Sequence, residues 1–364
     1  MTVRYGLIGA GMMGQEHLRN LALIEGAEVT ALADPDEGTR TASTALAGPA
    51  AKAFSDYKEM LSADLCDAYM IVGPNDLHHA MMTDALATGK PILCEKPLCT
   101  TSRDCRDLVA KAHGCAPVWV AMEYRYMPSS QRLLADLEAG RAGKLHMVSI
   151  REHRYPFLDK VGDWNRFNAR TGGTMVEKCC HFWDLMRLIT RSDPVRVYAS
   201  AAMNVNHADE RYGGKQPDII DNGYVIVDFE NGTRGMMDLC MFAEAATWQE
   251  IITVTGNRAR LETRVPRPGR FEPDGIEREA EYAVADRASL RETVETVHVD
   301  DTLLKAGDHH GSTFFQHRGF FEMVRSGKGT PAVTLEDGLW SVLTGEAAEM
   351  SAREDRAVTL SELK

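Results

Sequence analysis

Val3-Arg4-Tyr5-Gly6-Leu7-Ile8-Gly9-Ala10-Gly11-Met12-Met13-Gly14 reads as a strand running into a glycine-rich turn, and this stretch decides the fold. An apolar run over 3–8 precedes G-x-G-x-x-G at 9–14, and helical periodicity follows over 13–24. Glycine is required three times for three reasons: Gly9 for the tight turn, Gly11 for close approach of a pyrophosphate, Gly14 for close packing of helix on strand. The helix N-terminus at Met12 and Met13 adds unpaired N–H groups for phosphate. A lone motif of this kind is weak evidence. Here a second strand over 28–33 ends at Asp34, twenty residues past the last glycine, where an acid accepts hydrogen bonds from ribose hydroxyls and repels a 2′-phosphate. NAD is therefore expected over NADP, with nearby Arg40 as the residue that would let a phosphate be tolerated.

Strands and helices continue to alternate: a helix over 36–46, a strand over 68–72, a helix over 77–87 and a strand over 91–94. That alternation specifies an α/β fold with a doubly wound parallel sheet, whose ligands bind at the carboxyl ends of the strands. Pro74, Asn75 and His78 follow one strand, and Glu95 and Lys96 follow the next, so all five are candidate cofactor contacts. Asn75 reads equally well as a helix cap, and Lys96 as a solvated lysine. Pro97 is a candidate for a cis peptide.

From about residue 124 the pattern changes. A helix over 129–138 and a strand over 145–154 lead to an irregular run, 155–172, that carries Trp164, Arg166 and Arg170; loops of this length are usually functional. A helix is expected over 173–190. It places Glu177, His181 and Asp184 at i, i+4 and i+7, on one face, in a segment otherwise apolar. Such a stripe is solvated, self-bonded, or aimed into a cleft. Strands follow over 195–203, 223–229, 233–241, 250–255 and 259–263, separated by turn signals such as Asn231-Gly232 and Gly256-Asn257 that suit antiparallel hairpins. The polar stretch 264–297 has no clear period. Helices over 312–325 and 335–353 and a short strand over 357–360 close the chain.

The 364 residues, 44% hydrophobic and 26% charged, suit a soluble globular protein of two domains. A net charge of −12 argues against nucleic acid and anionic membranes as partners. No run is long enough to span a membrane, and the N-terminus enters a strand without a leader pattern, so a cytoplasmic protein is expected. The eight cysteines contain no C-x-x-C pair and read as reduced, mostly buried thiols, Cys179 and Cys180 included. Arg151, Arg154, Arg166 and Arg170 suit an anionic substituent or surface salt bridges. Of His309, His310 and His317, a pocket-lining histidine is favoured over a metal ligand, and no metal is expected.

Taken together, GAGMMG, Asp34, GPNDLH and CEKP followed by a helix resemble the glucose-fructose oxidoreductase, inositol dehydrogenase and rhizopine-catabolism (Gfo/Idh/MocA) family over essentially the whole chain. Tyr124-Arg125-Tyr126-Met127-Pro128 is similar to the family's stretch after the last Rossmann strand. GGTMVEKCCHFWD, 172–184, is similar to its Gly-Gly…Asp-x-x-x-His-x-x-Asp segment, with Glu177 where the family has Asp. The resemblance implies an NAD(P)-binding Rossmann domain over 1–123. It also implies an α+β domain over 124–364, with a large open, mainly antiparallel sheet, for substrate binding and oligomerisation. It implies hydride transfer between NAD and an alcohol or ketone of a sugar, inositol or derivative, and a homodimer or homotetramer. Lys96 corresponds to the lysine of the EKP motif and His181 to the catalytic histidine. On chemical grounds His181 then moves the proton, Lys96 holds the reacting oxygen, and Glu177 orients substrate or joins the relay. Tyr124, Arg125, Arg154, Trp164, Arg166 and His310 complete the expected substrate set. Three alternatives stay open: a regulator that binds NAD and sugar without turnover, a metal enzyme ligated by Glu177, His181 and Asp184, and an enzyme recycling tightly bound NAD.

Overall fold

The computed structural model describes residues 2–363, which build two sheets. The first contains six strands: β1 (Val3–Ile8), β2 (Ala27–Ala33), β3 (Lys52–Phe54), β4 (Ala68–Ile71), β5 (Ile92–Cys94) and β6 (Val118–Val120). All pair in parallel in the order β3-β2-β1-β4-β5-β6. Burial on both faces explains their short, nearly unbroken apolar runs. The order reverses between β1 and β4, so the crevice at their carboxyl ends is where a dinucleotide sits in such sheets.

The second sheet has nine strands: β7 (Leu145–His153), β8 (Pro194–Ala202), β9 (Asn222–Phe229), β10 (Arg234–Cys240), β11 (Trp248–Gly256), β12 (Ala259–Pro266), β13 (Ala280–Asp286), β14 (Arg291–Val297) and β15 (Val358–Thr359). Their order is β14-β13-β12-β11-β7-β10-β9-β8-β15, antiparallel throughout except for the β7/β10 pair. The stretch 264–297, unreadable in sequence, supplies β13 and β14. The reason is physical: β14 is an edge strand exposed along nearly its whole length, so neither face imposes the apolar alternation that marks a strand.

Two differences from the sequence reading bear on the site. The helix expected over 173–190 is broken. Thr174–Glu177 and Cys180–Thr190 are separate helices, joined where the Cys179 N–H bonds back to the Thr174 carbonyl at 3.2 Å. The first of them has no capping side chain of its own. Glu349, from helix Leu335–Glu354, accepts the Met175 N–H at 2.9 Å instead. That same helix lies against the segment at Gly345, where a Cβ would come 2.6 Å from the Met175 carbonyl oxygen.

The second concerns the split at 123/124: the strands of the two sheets fall on opposite sides of it, but the apolar cluster of the first sheet also takes residues from beyond it. Phe320, Phe321, Met323, Val333 and Val342 pack into the apolar cluster of the parallel sheet, and the Val120 N–H bonds the Val333 carbonyl at 3.1 Å. The C-terminal helices thereby lock the first sheet to the second. Among the described residues, no helix is long and apolar enough to cross a membrane.

Candidate active site

A cleft of about 1030 Å³ runs along the carboxyl edge of the parallel sheet, from Gly9, Gly11, Met12, Met13 and Asp34 at one end to Lys96, Glu177 and His181 at the other. Gly9 has φ +89°, and a Cβ there would lie 2.6 Å from the Gly73 nitrogen, so only glycine fits. At Gly11 a Cβ would meet nothing within 4 Å, which leaves the backbone open to the cleft. The helix Met12–Leu21 that starts there has no side-chain cap, so its first N–H groups face the cleft unsatisfied. Gly14 is outside the wall: a Cβ would meet the Gly9 carbonyl at 2.7 Å, and its task is helix-on-strand packing.

Asp34 accepts the Ala10 and Asp36 N–H groups at 2.8 and 2.9 Å, one on each oxygen, which aims the carboxylate into the cleft. Arg40 is turned away and donates to the Asp34 and Pro35 carbonyls at 2.8 and 3.3 Å. Pro74 and Asn75 line the wall, and the buried Asn75 Nδ2 is a donor with no partner. His78 does not reach the cleft. Its ring nitrogens lie 2.8 and 3.0 Å from the carbonyls of Pro97 and Gly73, behind the wall. An uncapped helix start, an aimed acid and an orphaned amide donor together fit a dinucleotide.

At the far end, Glu95 pairs with His17 at 3.0 Å and accepts the Lys96 N–H at 3.1 Å. The Lys96–Pro97 peptide is cis. The Lys96 ammonium donates to the Glu177 carbonyl at 3.2 Å, not to the carboxylate, whose buried Oε2 has no partner. His181 is 2% exposed, and its ring stacks on Tyr124 at 4.1 Å and 9°. Among the described residues neither ring nitrogen makes a hydrogen bond, and Nδ1 is buried. The Tyr124 hydroxyl is held from behind: it receives Lys178 at 2.7 Å and donates to Glu250 at 3.2 Å. Burial, then the neighbouring cations Lys96 and Lys178, push His181 well below the usual imidazole range, so it is neutral. Lys96 stays an ammonium; burial opposes the charge, but Cys180, Glu177 and Glu95 more than restore it. Burial raises Glu177 despite Lys96 and Lys160 beside it.

The structure brings Lys96, Tyr124, Arg154, Trp164, Glu177 and His181 into one cleft and keeps other sequence candidates out of it. Asp184 takes Nε and Nη2 of Arg125, each at 2.5 Å, so both are committed to a buried pair. With Asp184 facing Arg125, the trio Glu177, His181 and Asp184 does not converge on a point where a metal could sit. Arg166 is buried between Asp159 at 2.7 Å and Glu210 at 3.0 Å, whereas Arg170 does line the cleft, half-exposed and paired with Asp76. His310 bonds the Pro266 carbonyl at 2.9 Å, and it is His309 that faces the cleft.

Several wall residues had no sequence signal, namely Lys160, Lys178, Glu16 and Glu123, while His309 was one of three histidines from which a pocket-lining one was expected. Glu16, Glu123 and His309 form the one cluster of metal-ligand type among the described residues. His309 bridges the two acids, Nδ1 2.7 Å from Glu16 and Nε2 3.6 Å from Glu123. Burial disfavours its charge, but Glu123 and Glu16 outweigh that and raise it to about 9, so the imidazolium is itself the cation of the cluster.

Residues 3–121 match an oxidoreductase family, Gfo/Idh/MocA, described as having an NAD-binding Rossmann fold, and residues 135–360 match that family's C-terminal alpha/beta domain. Inositol 2-dehydrogenase 2 of Saccharopolyspora erythraea is 31% identical over 67% of this chain and 68% of its own. Myo-inositol 2-dehydrogenase of Thermotoga maritima is 26% identical over 99% of both chains. A solved structure of levoglucosan dehydrogenase in complex with NADH superimposes with a TM-score of 0.82 over 99% of each chain at 18% identity, a likeness of fold.

Proposed function

Because this chain belongs to the Gfo/Idh/MocA oxidoreductases, whose first domain is an NAD-binding Rossmann fold, we propose that it transfers a hydride between NAD and a secondary alcohol or ketone of a sugar, inositol or related derivative. One observation carries the reading: a neutral, unpartnered His181 and an ammonium at Lys96 share the wall at the end of a cleft whose beginning is a dinucleotide cradle. The names of the inositol dehydrogenases among its relatives support the substrate class.

Bound NAD supplies the hydride acceptor. The chain supplies the rest. In oxidation, His181 takes the hydroxyl proton, a role worth roughly 10² to 10⁴ in rate. Tyr124 holds the ring flat, and burial keeps it unprotonated and ready. Lys96 donates to the reacting oxygen and stabilises the charge that develops there. Glu177, with its free Oε2, accepts from neighbouring substrate hydroxyls and so fixes which carbon is presented.

NADH formation from NAD⁺, with NADP⁺ in parallel, across inositols, aldoses, anhydro sugars and sugar acids tests this. We expect turnover with NAD⁺. His181→Asn and Lys96→Met should each lower kcat by roughly 10²- to 10⁴-fold with NADH affinity retained. Wild-type turnover in either variant would overturn the assignment, and substrate binding without any NADH would favour a regulator.

A second reading, in which NAD is held tightly and recycled, is favoured by the segment around helix Asp301–Ala306. Leu304, Lys305, Gly307, Asp308 and His309 from it line the cleft, and it is fastened by Arg19 on the Ala306 carbonyl at 3.1 Å and by Arg270 on Asp308. Cofactor that survives gel filtration would support it. The protein is further read as cytoplasmic, since its cysteines are free thiols suited to a reducing compartment; function confined to an oxidising compartment would contradict that. It is also read as a homo-oligomer, because Met147, Tyr198, Tyr224, Ile226 and Met236 are exposed on the outer face of β7–β10.

A further inference from the structure

We propose that the substrate carries a carboxylate and that Lys160, together with Arg154, receives it, so that the enzyme acts on a sugar acid or cyclitol acid in preference to a neutral polyol. This rests on the hydride-transfer reading and names its substrate class.

The argument is one of charge left over. Lys160 lines the cleft, yet among the described residues its ammonium makes no hydrogen bond and no ion pair. Its sequence neighbour Asp159, also on the cleft wall, is paired with Arg166 at 2.7 Å. Burial lowers Lys160 below the usual ammonium range, Glu177 opposes that shift and Lys96 adds to it, and all three line the same end of the cleft. Arg154 is only partly engaged. Its Nε donates to the Tyr155 carbonyl at 3.1 Å, its Nη1 reaches Glu152 at 3.5 Å, and its Nη2 has no partner. The Tyr155 ring lies 4.3 Å under the guanidinium and holds its plane.

The acids that could neutralise these cations are otherwise engaged. Glu152 is committed to Lys178 at 2.8 Å, and Glu95 to His17. Glu250, driven up to about 8 by burial and then by Glu152 beside it, is mostly uncharged at neutral pH. Lys96, Lys160, Arg154 and Lys178 thus share the carboxyl groups of Glu152 and Glu177, of which burial raises Glu177, while burial lowers Lys160 and Lys178; a carboxylate brought in by substrate would hold both lysines charged. Buried charge left unpaired is costly. A hydroxyl accepts a hydrogen bond but cancels no charge, whereas a carboxylate does both. The planar fork of Arg154 and the mobile ammonium of Lys160 are the two donor types that such a group takes.

The test compares matched pairs, an aldose with its uronic acid and a cyclitol with its carboxylated analogue, in NAD⁺ reduction by the wild type, Lys160→Met and Lys160→Arg. The wild type should favour the acid of a pair. Lys160→Met should cut the acid-to-neutral ratio of kcat/KM by roughly ten- to a hundredfold, the worth of a charge-assisted hydrogen bond, mainly through KM. Lys160→Arg should restore most of it, and added salt should raise KM for the acid only. Folding and the cofactor site are checked by NADH affinity, which stays at the wild-type value. Equal or better use of the neutral member, or an unchanged ratio in Lys160→Met, overturns the inference and leaves hydride transfer standing. No turnover with either member of any pair overturns both.

Discussion

Replacing Asp184 by asparagine should destabilise the fold and spare substrate recognition. Asp184 is 1% exposed, and its two oxygens take Nε and Nη2 of Arg125 at 2.5 Å. Arg125 otherwise reaches the Ala332 carbonyl at 2.9 Å and Asp337 at 3.6 Å. Removing one member of a buried ion pair costs about 3–5 kcal/mol, because the survivor is left charged and unpaired. Asparagine is isosteric and keeps one acceptor, and Asp337 remains near, so the loss belongs at or below the lower end, about 2–3 kcal/mol. Arg125→Met with Asp184→Leu removes both charges. It should be more stable than the sum of the two single changes predicts, by about 1–3 kcal/mol of coupling. Urea unfolding followed by tryptophan fluorescence is the assay, since Trp183 is adjacent and buried. KM for NAD⁺ and substrate is measured on the same preparations in native buffer. The reasoning fails if Asp184→Asn moves stability by less than about 0.5 kcal/mol, the range of a surface change, or if its main effect is on KM.

Two further outcomes follow from the geometry. His309 is raised from 6.5 to about 9 by Glu123 and Glu16 against the cost of burial, so its contribution is complete below about 6.5 and is lost as pH rises through about 9. The stability advantage of the wild type over His309→Gln should vanish along that course, and an advantage that persists above pH 10 in urea titrations counts against the bridge. Tyr224→Glu with Ile226→Glu, on the exposed face of β9, should turn an oligomer into monomers in sedimentation without loss of helical signal; a wild type already monomeric at micromolar concentration would remove the proposed interface.

How much of this was legible in the sequence depended on the range of the interactions involved. The glycine turn, Asp34 and the strands β1, β2, β4 and β5 were readable, because each is dictated by backbone needs within a few residues: a positive φ at Gly9, an open approach at Gly11, an apolar run buried on both faces. Lys96 and His181 were readable through the motifs around them. β14 was not, because a doubly exposed edge carries no apolar period. Nor was the break at Lys178–Cys179, in a segment whose first turn packs at Met175 and Val176 against Gly345 of helix Leu335–Glu354, nearly 170 residues away in sequence.

By itself, then, the sequence determined a Rossmann domain that holds NAD, followed by a mixed second domain, since these follow from local periodicity and turn chemistry. Which charged side chains face the cleft was decided only by the tertiary structure. Arg125 and Arg166 are the same kind of residue as Arg154, yet each meets an acid from elsewhere in the fold, Asp184 and Glu210, and is used up. His309 and His310 are adjacent and identical, and the positive φ of His310 turns one toward a backbone carbonyl while the other faces the cleft. Electrostatic pairing is settled by distances across the folded chain, and no local pattern encodes them.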